Sequence, residues 1–283
     1  MKLRKGRLVG SAAALAATIT LSGYGVQSFA STSEVEAPTG DAAYCQAQVA
    51  FDTAMLSLGG APVPDPPDPA EVLNPILDQF EANAPEAVAD SVTAYAAAVR
   101  GALAGGEDAF EAAFGSPEYM AADAAIDQYL LGACGFNALS VTGTEYQYDG
   151  IPATLPAGPT ALTFSNEGEE FHMAVLFRMN DGDPLTPKEA LALPDEEIFN
   201  HLSLHADIFL PPGMSNTGFY DLPAGRYGAA CFMPVGSTPG APEPTEGTPL
   251  HYMQGMFEEF TVGDAAEAPA EDTPAAEDPH AGH

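Results

Sequence analysis

Basic residues are scarce: eight Lys and Arg stand against 40 Asp and Glu in 283 residues, for a formal charge of −32. Double-stranded nucleic acid and anionic lipid headgroups are polyanions that need a basic patch, so this balance excludes both as partners. Half of the bases lie together. Lys2, Arg4, Lys5 and Arg7 precede an apolar run from Leu8 to about Leu21, and Ser28-Phe29-Ala30 offers the small residues of a cleavage site. That is the pattern of a secretory signal peptide over residues 1–30. Tyr24 stands where a lipoprotein would need Cys, so the expected product is free and exported, in a periplasm, at a cell wall or in the medium. Long hydrophobic runs are lacking elsewhere, and no membrane insertion is expected.

Several motifs are also missing. There is no Gly-x-Ser-x-Gly elbow, no phosphate-binding loop and no Asp-rich loop with calcium-ligand spacing. His201 and His205 are four apart near the end of an expected helical insertion, but Leu202 follows His201, so the zinc-protease pattern fails. They read as a capped helix end or surface histidines. Most of the acids fall within residues 41–263, so the folded body itself is acidic. Salt screens such self-repulsion within ~8–10 Å, and the surface suits a salty medium.

Hydrophobic residues make up 46% of the chain, enough for real cores, and the pattern changes near residue 136. The sequence predicts an α+β, two-domain protein: a linker at 31–40, an all-α bundle at 41–136, an all-β domain at 137–263 and an acidic disordered tail at 264–283. His280 and His283 belong to that solvated tail. Residues 41–58 place Phe51, Ala54, Met55 and Leu58 on one helical stripe. Asp68-Pro69-Ala70-Glu71 opens a second helix, which Pro75 bends or shortens. Asn83-Ala84-Pro85-Glu86 opens a third, closed by Gly105-Gly106, and Ser116-Pro117-Glu118 starts a last one reaching Cys134. With antiparallel helices, Cys45 and Cys134 sit at one end of the bundle, and export lets them join as a disulfide. Cys231 is then left over and must be buried, bonded to another molecule or used chemically.

The second half is predicted to hold strands at 144–148, 160–165, 172–178, 218–222, 226–233 and 256–262, with Pro-Gly corners typical of an antiparallel sandwich or barrel. Thr186-Pro187-Lys188-Glu189 opens a helical insertion expected to reach about His205.

Ala153-Thr154-Leu155-Pro156-Ala157-Gly158, the strand after it and Asn166-Glu167-Gly168 lead to His172. Pro223-Ala224-Gly225-Arg226-Tyr227-Gly228-Ala229-Ala230 leads to Cys231, and His251-Tyr252-Met253-Gln254-Gly255-Met256 precedes an apolar strand. This order resembles the ligand regions of plastocyanin- and azurin-type cupredoxins. The resemblance covers a little under half the chain and implies a Greek-key sandwich with one mononuclear copper. It assigns His172 and His251 as equatorial nitrogens, Cys231 as the thiolate and Met256 as the axial thioether. Such a set suits both Cu(I) and Cu(II), so little rearrangement accompanies electron movement. The implied function is one-electron transfer without enzymatic turnover, and the acidic body favours a redox partner that carries a basic patch. One departure stands out: 232–250 separates Cys231 from His251, where the family has only a few residues. That length favours the alternative, a metal-free interaction module on the same scaffold.

Overall fold

The computed structural model describes residues 41–59, 67–105, 107–241, 244–245 and 247–263. The expected leader 1–30, linker 31–40 and acidic tail 264–283 lie outside these residues. Five helices come first: α1 (Asp41–Leu58), α2 (Pro69–Ala82), α3 (Ala89–Gly105), α4 (Glu107–Phe114) and α5 (Pro117–Ala133). Asp68 caps α2 by accepting from the Ala70 N–H at 2.9 Å, and Ser116 caps α5 through the Tyr119 N–H at 3.2 Å. Each cap satisfies a donor that the helix leaves orphaned, and the Pro that follows gives up none. Pro75 neither ends nor shortens α2, which runs on to Ala82. Asn83 corrects the third expected start: it closes α2, both its N–H and its side-chain amide donating to the Gln79 carbonyl, and α3 begins only at Ala89. Cys45 and Cys134 form the expected disulfide, with Cα atoms 5.8 Å apart.

Among the described residues nine strands follow: β1 (Asn137–Thr144), β2 (Gln147–Asp149), β3 (Thr154–Leu155), β4 (Gly158–Asn166), β5 (His172–Met179), β6 (Leu202–Leu210), β7 (Ser215–Leu222), β8 (Gly225–Ala230) and β9 (Phe257–Val262). They form a four-stranded sheet, β2-β1-β4-β7, packed on a five-stranded sheet, β3-β9-β8-β5-β6. An N-terminal helical bundle followed by a β-sandwich is the architecture read from the sequence. Pairing is mixed, because β1 runs parallel to β4 and β3 parallel to β9.

Two expectations fail locally. The strand expected at 144–148 spans a turn: β1 ends at Thr144 and β2 starts at Gln147, with Tyr146 between them at φ 63°. The helical insertion breaks at Leu193-Pro194 into α6 (Pro187–Ala190) and α7 (Asp195–Ile198), since proline disfavours helix in the residue before it. Residues 202–210 are therefore strand β6, not helix. His201 hydrogen-bonds Asp183 at 2.7 Å just before that strand, and His205 lies within it beside the Asp221 carbonyl.

Alternation along the strands decides what packs where. Leu162 and Phe164 of β4 face the sandwich core, whereas Ala161 of β4 and Phe219 of β7 join the helical core with Phe51, Leu77 and Ile126. The bundle thus lies on the outer face of the four-stranded sheet. Asp52 of α1 secures it there by accepting from the Phe219 N–H at 2.7 Å. On the opposite side, α6 packs Ala190 and Leu191 against Phe177 of β5 and Ala230 of β8. A final short helix, α8 (His251–Gln254), precedes β9.

Candidate metal centre

Four segments converge at one end of the sandwich. His172 opens β5, Cys231 follows β8, His251 opens α8 and Met256 immediately precedes β9. All four are fully buried. His172 Nδ1 lies 3.1 Å from His251 Nδ1, and Cys231 Sγ lies 3.9 Å and 3.4 Å from those two nitrogens. A first-row metal bound at about 2.0–2.3 Å from nitrogen and sulfur holds its ligand atoms roughly 3–4 Å apart, so this triangle has the right size. Two imidazoles, one thiol and a neighbouring thioether form the donor set that suits copper in both common oxidation states. The residues fit one mononuclear copper.

Backbone bonds explain how the long segment 232–250 still delivers its histidine. Pro234 and Leu250 form a β-bridge, and the Val235 N–H donates to Pro249 O at 2.9 Å. His251 N–H donates to Met233 O at 2.8 Å and Tyr252 N–H to Cys231 O at 2.9 Å. Met256 N–H reaches His251 O at 3.1 Å, and Cys231 N–H reaches Met256 O at 3.2 Å. The loop is therefore closed at its root, next to Cys231, and its length lies beyond the closure. Met173 N–H points at Cys231 Sγ, 3.3 Å away, a donor suited to a thiolate.

The electrostatics keep the donors ready for a cation. Burial lowers the proton affinity of both imidazoles, and mutual repulsion adds to this at His172. Neutral rings are the form that binds metal. Burial pushes the Cys231 thiol up to about 11, so metal uptake displaces its proton.

With Nδ1 of each ring turned inward, each Nε2 points outward and faces a carboxylate. Glu170 Oε2 lies 3.0 Å from His251 Nε2; Glu145 Oε1 lies 3.6 Å from His172 Nε2, beyond hydrogen-bond range. Glu145 instead accepts from the N–H groups of Glu169 and Glu170. Burial opposes ionisation of both acids, but hydrogen bonds outweigh it and hold each below the usual glutamate range: the Glu169 and Glu170 N–H groups at Glu145, and the Gly236 N–H, the Tyr146 hydroxyl and His251 at Glu170.

His172, Cys231 and His251 are thus together, Met256 is tied beside them through its backbone, and His201 and His205 lie elsewhere on β6 and its approach. Glu145, Tyr146 and Glu170 did not emerge from the sequence. Their only signal is the acidic stretch Glu167-Gly168-Glu169-Glu170 just ahead of His172.

No family model and no curated protein matches the chain. Among solved structures it is similar to a dithionite-reduced auracyanin from the photosynthetic bacterium Roseiflexus castenholzii, at 23% identity, 45% of this chain, 97% of that one and TM-score 0.32. Auracyanin A from Chloroflexus aurantiacus, a blue copper protein, shares 18% identity over 46% of this chain and all of its own, at TM-score 0.28. Rusticyanin from Thiobacillus ferrooxidans shares 16% identity over 44% of this chain and 77% of its own, at TM-score 0.27.

Proposed function

We propose that this is an exported carrier of single electrons, using one copper held by His172, Cys231, His251 and Met256. The observation that carries the reading is the buried triangle of His172 Nδ1, Cys231 Sγ and His251 Nδ1, with sides of 3.1–3.9 Å. When bound, copper supplies the one-electron couple. The chain supplies the rest. His172 is fixed by strand β5, and Cys231, His251 and Met256 are locked to one another through backbone bonds, so the donors keep their places while charge changes. Full burial of all four excludes water and leaves no open position for a substrate. That enclosure supports a carrier and not an enzyme.

Glu145 faces His172, and Glu167 and Glu169 are exposed in the stretch just ahead of it, which favours a redox partner with a basic patch. Association is then expected to slow as salt rises. The bonds at the root of 232–250 remove the main argument for a metal-free module, which rested on the length of that segment.

The test is to add Cu(II) to the purified protein and record the visible spectrum. An intense thiolate-to-copper charge-transfer band is expected, and Cys231→Ser is expected to abolish it. A colourless mixture, or a band that survives in the variant, overturns the reading.

A further inference from the structure

We infer that Glu170 is the positioning residue that orients His251 and ties the Cys-to-His loop across the metal centre. The root bonds of that loop fix the His251 backbone, and the ring packs edge-on against Tyr146 and His172. Glu170 supplies the hydrogen bond to its outer nitrogen. Its Oε2 accepts from His251 Nε2 at 3.0 Å and also from the Gly236 N–H, while Oε1 accepts from the Tyr146 hydroxyl at 3.0 Å. One carboxylate thus joins the turn between β1 and β2, the segment 232–250 just past its closed root, and a ligand ring.

Glu170 is itself immobilised. Its N–H donates to Glu145 Oε1, and its carbonyl accepts from the Asn166 amide at 2.9 Å. Beside it, Phe171 N–H donates to Ser237 O at 2.7 Å, pinning the loop a second time. Only 12% of the Glu170 side chain is exposed. Gly236 has φ 87°, a conformation side chains disfavour, and that turn aims its N–H at the carboxylate.

His172 provides an internal contrast. Strand β5 already fixes it, and its Nε2 is buried without a hydrogen-bond partner. The histidine delivered by the long loop is the one that has a carboxylate tether. A carboxylate hydrogen-bonded to the outer nitrogen of a ligating imidazole sets its orientation and raises its electron donation. It also favours the more positive oxidation state, so losing its charge raises the reduction potential.

The tether itself stands whether or not copper binds; the potential rests on the copper reading. Glu170→Gln and Glu170→Ala are therefore tested in two states of the full chain. In metal-free protein, amide hydrogen exchange at Gly236 is expected to speed up at least tenfold in either variant. In copper-loaded protein, Glu170→Gln is expected to keep the charge-transfer band and to shift the potential upward. If Glu170→Ala fails to fold, the near-isosteric Gln variant carries both measurements. Unchanged exchange, or an unshifted potential in a copper-loaded variant, overturns the proposal. If the wild-type protein shows no charge-transfer band, the copper reading falls, and exchange in the metal-free protein still decides whether Glu170 holds the loop.

Discussion

A Cβ built on Gly168 would lie 2.4 Å from Glu145 Oε1 and 2.6 Å from His172 Nε2. Neither contact is tolerable, so this residue lets the loop between β4 and β5 cross the edge of a ligand ring. Gly168→Ala must displace both the ring and Glu145, or shift the loop itself. Glu145 is 40% exposed and can swing outward, but it would then release the N–H groups of Glu169 and Glu170. The expected cost is about 1–3 kcal/mol in denaturant unfolding of the metal-free protein, the range for a small overpacking change. Copper affinity is expected to weaken by roughly 10–100-fold, as when a residue that orients a ligand is lost. Wild-type stability and affinity together would show that the loop adapts freely, against the packing at this position.

At the scale of elements, the seam between α1 and α5 has an unusual acid content. Gln48 and Asp52 lie on one face of α1, four apart, and Tyr119, Asp123 and Asp127 are spaced likewise on α5. Desolvation raises Asp52 to about 7, Asp123 to about 6 and Asp127 to about 8, with repulsion from Asp123 and then Asp52 adding at Asp127. Folded values above the unfolded reference of about 3.9 mean that the native state binds these protons more tightly. Stability from this seam is therefore full below about pH 4 and is lost as pH rises toward 8. The melting temperature is expected to be higher at pH 5 than at pH 8, and Asp127→Asn is expected to flatten the difference. Equal melting temperatures in the wild type would refute the placement of these carboxylates. The Cys45–Cys134 link acts on the same helices, and replacing both cysteines by Ala is expected to cost about 2–5 kcal/mol in unfolding experiments. These helices were legible in the sequence because caps such as Asp68 and Ser116 and apolar stripes are local signals. β6 was not: the cap at Thr186 is genuine, but Pro194 ends what it starts, and the expected helix runs over 202–205, the first half of the strand. β1 lacks aromatic residues and carries little strand signal. The four donors were legible because His, Cys, His and Met in that order, with their flanking turns and strands, resemble the ligand regions of cupredoxins. Glu145 and Glu170 were not, because an acid among 40 carries no signal until folding sets it beside a ring.

For the whole molecule, charge is the dominant global property. Beyond the expected leader the bases are Arg100, Arg178, Lys188 and Arg226. Arg100 bridges Asp78 and Glu81, Arg178 meets Asp181, and the Arg226 guanidinium is taken up by the carbonyls of Asp183 and Leu185. Among the described residues few carboxylates have a Lys or Arg partner, and with so large an excess of acid the net repulsion favours the expanded chain. Raising salt from 0.1 M to 1 M shortens the screening length from about 10 Å to about 3 Å, which silences pairs on neighbouring elements. The melting temperature at pH 8 is expected to climb by at least several degrees over that range. Salt also stabilises proteins by general exclusion from their surfaces, so pH is the control. Near pH 4 a large share of the exposed carboxylates is protonated, and the same salt step is expected to have a markedly smaller effect. A salt response of equal size at the two pH values would assign it to exclusion and not to the acidic surface.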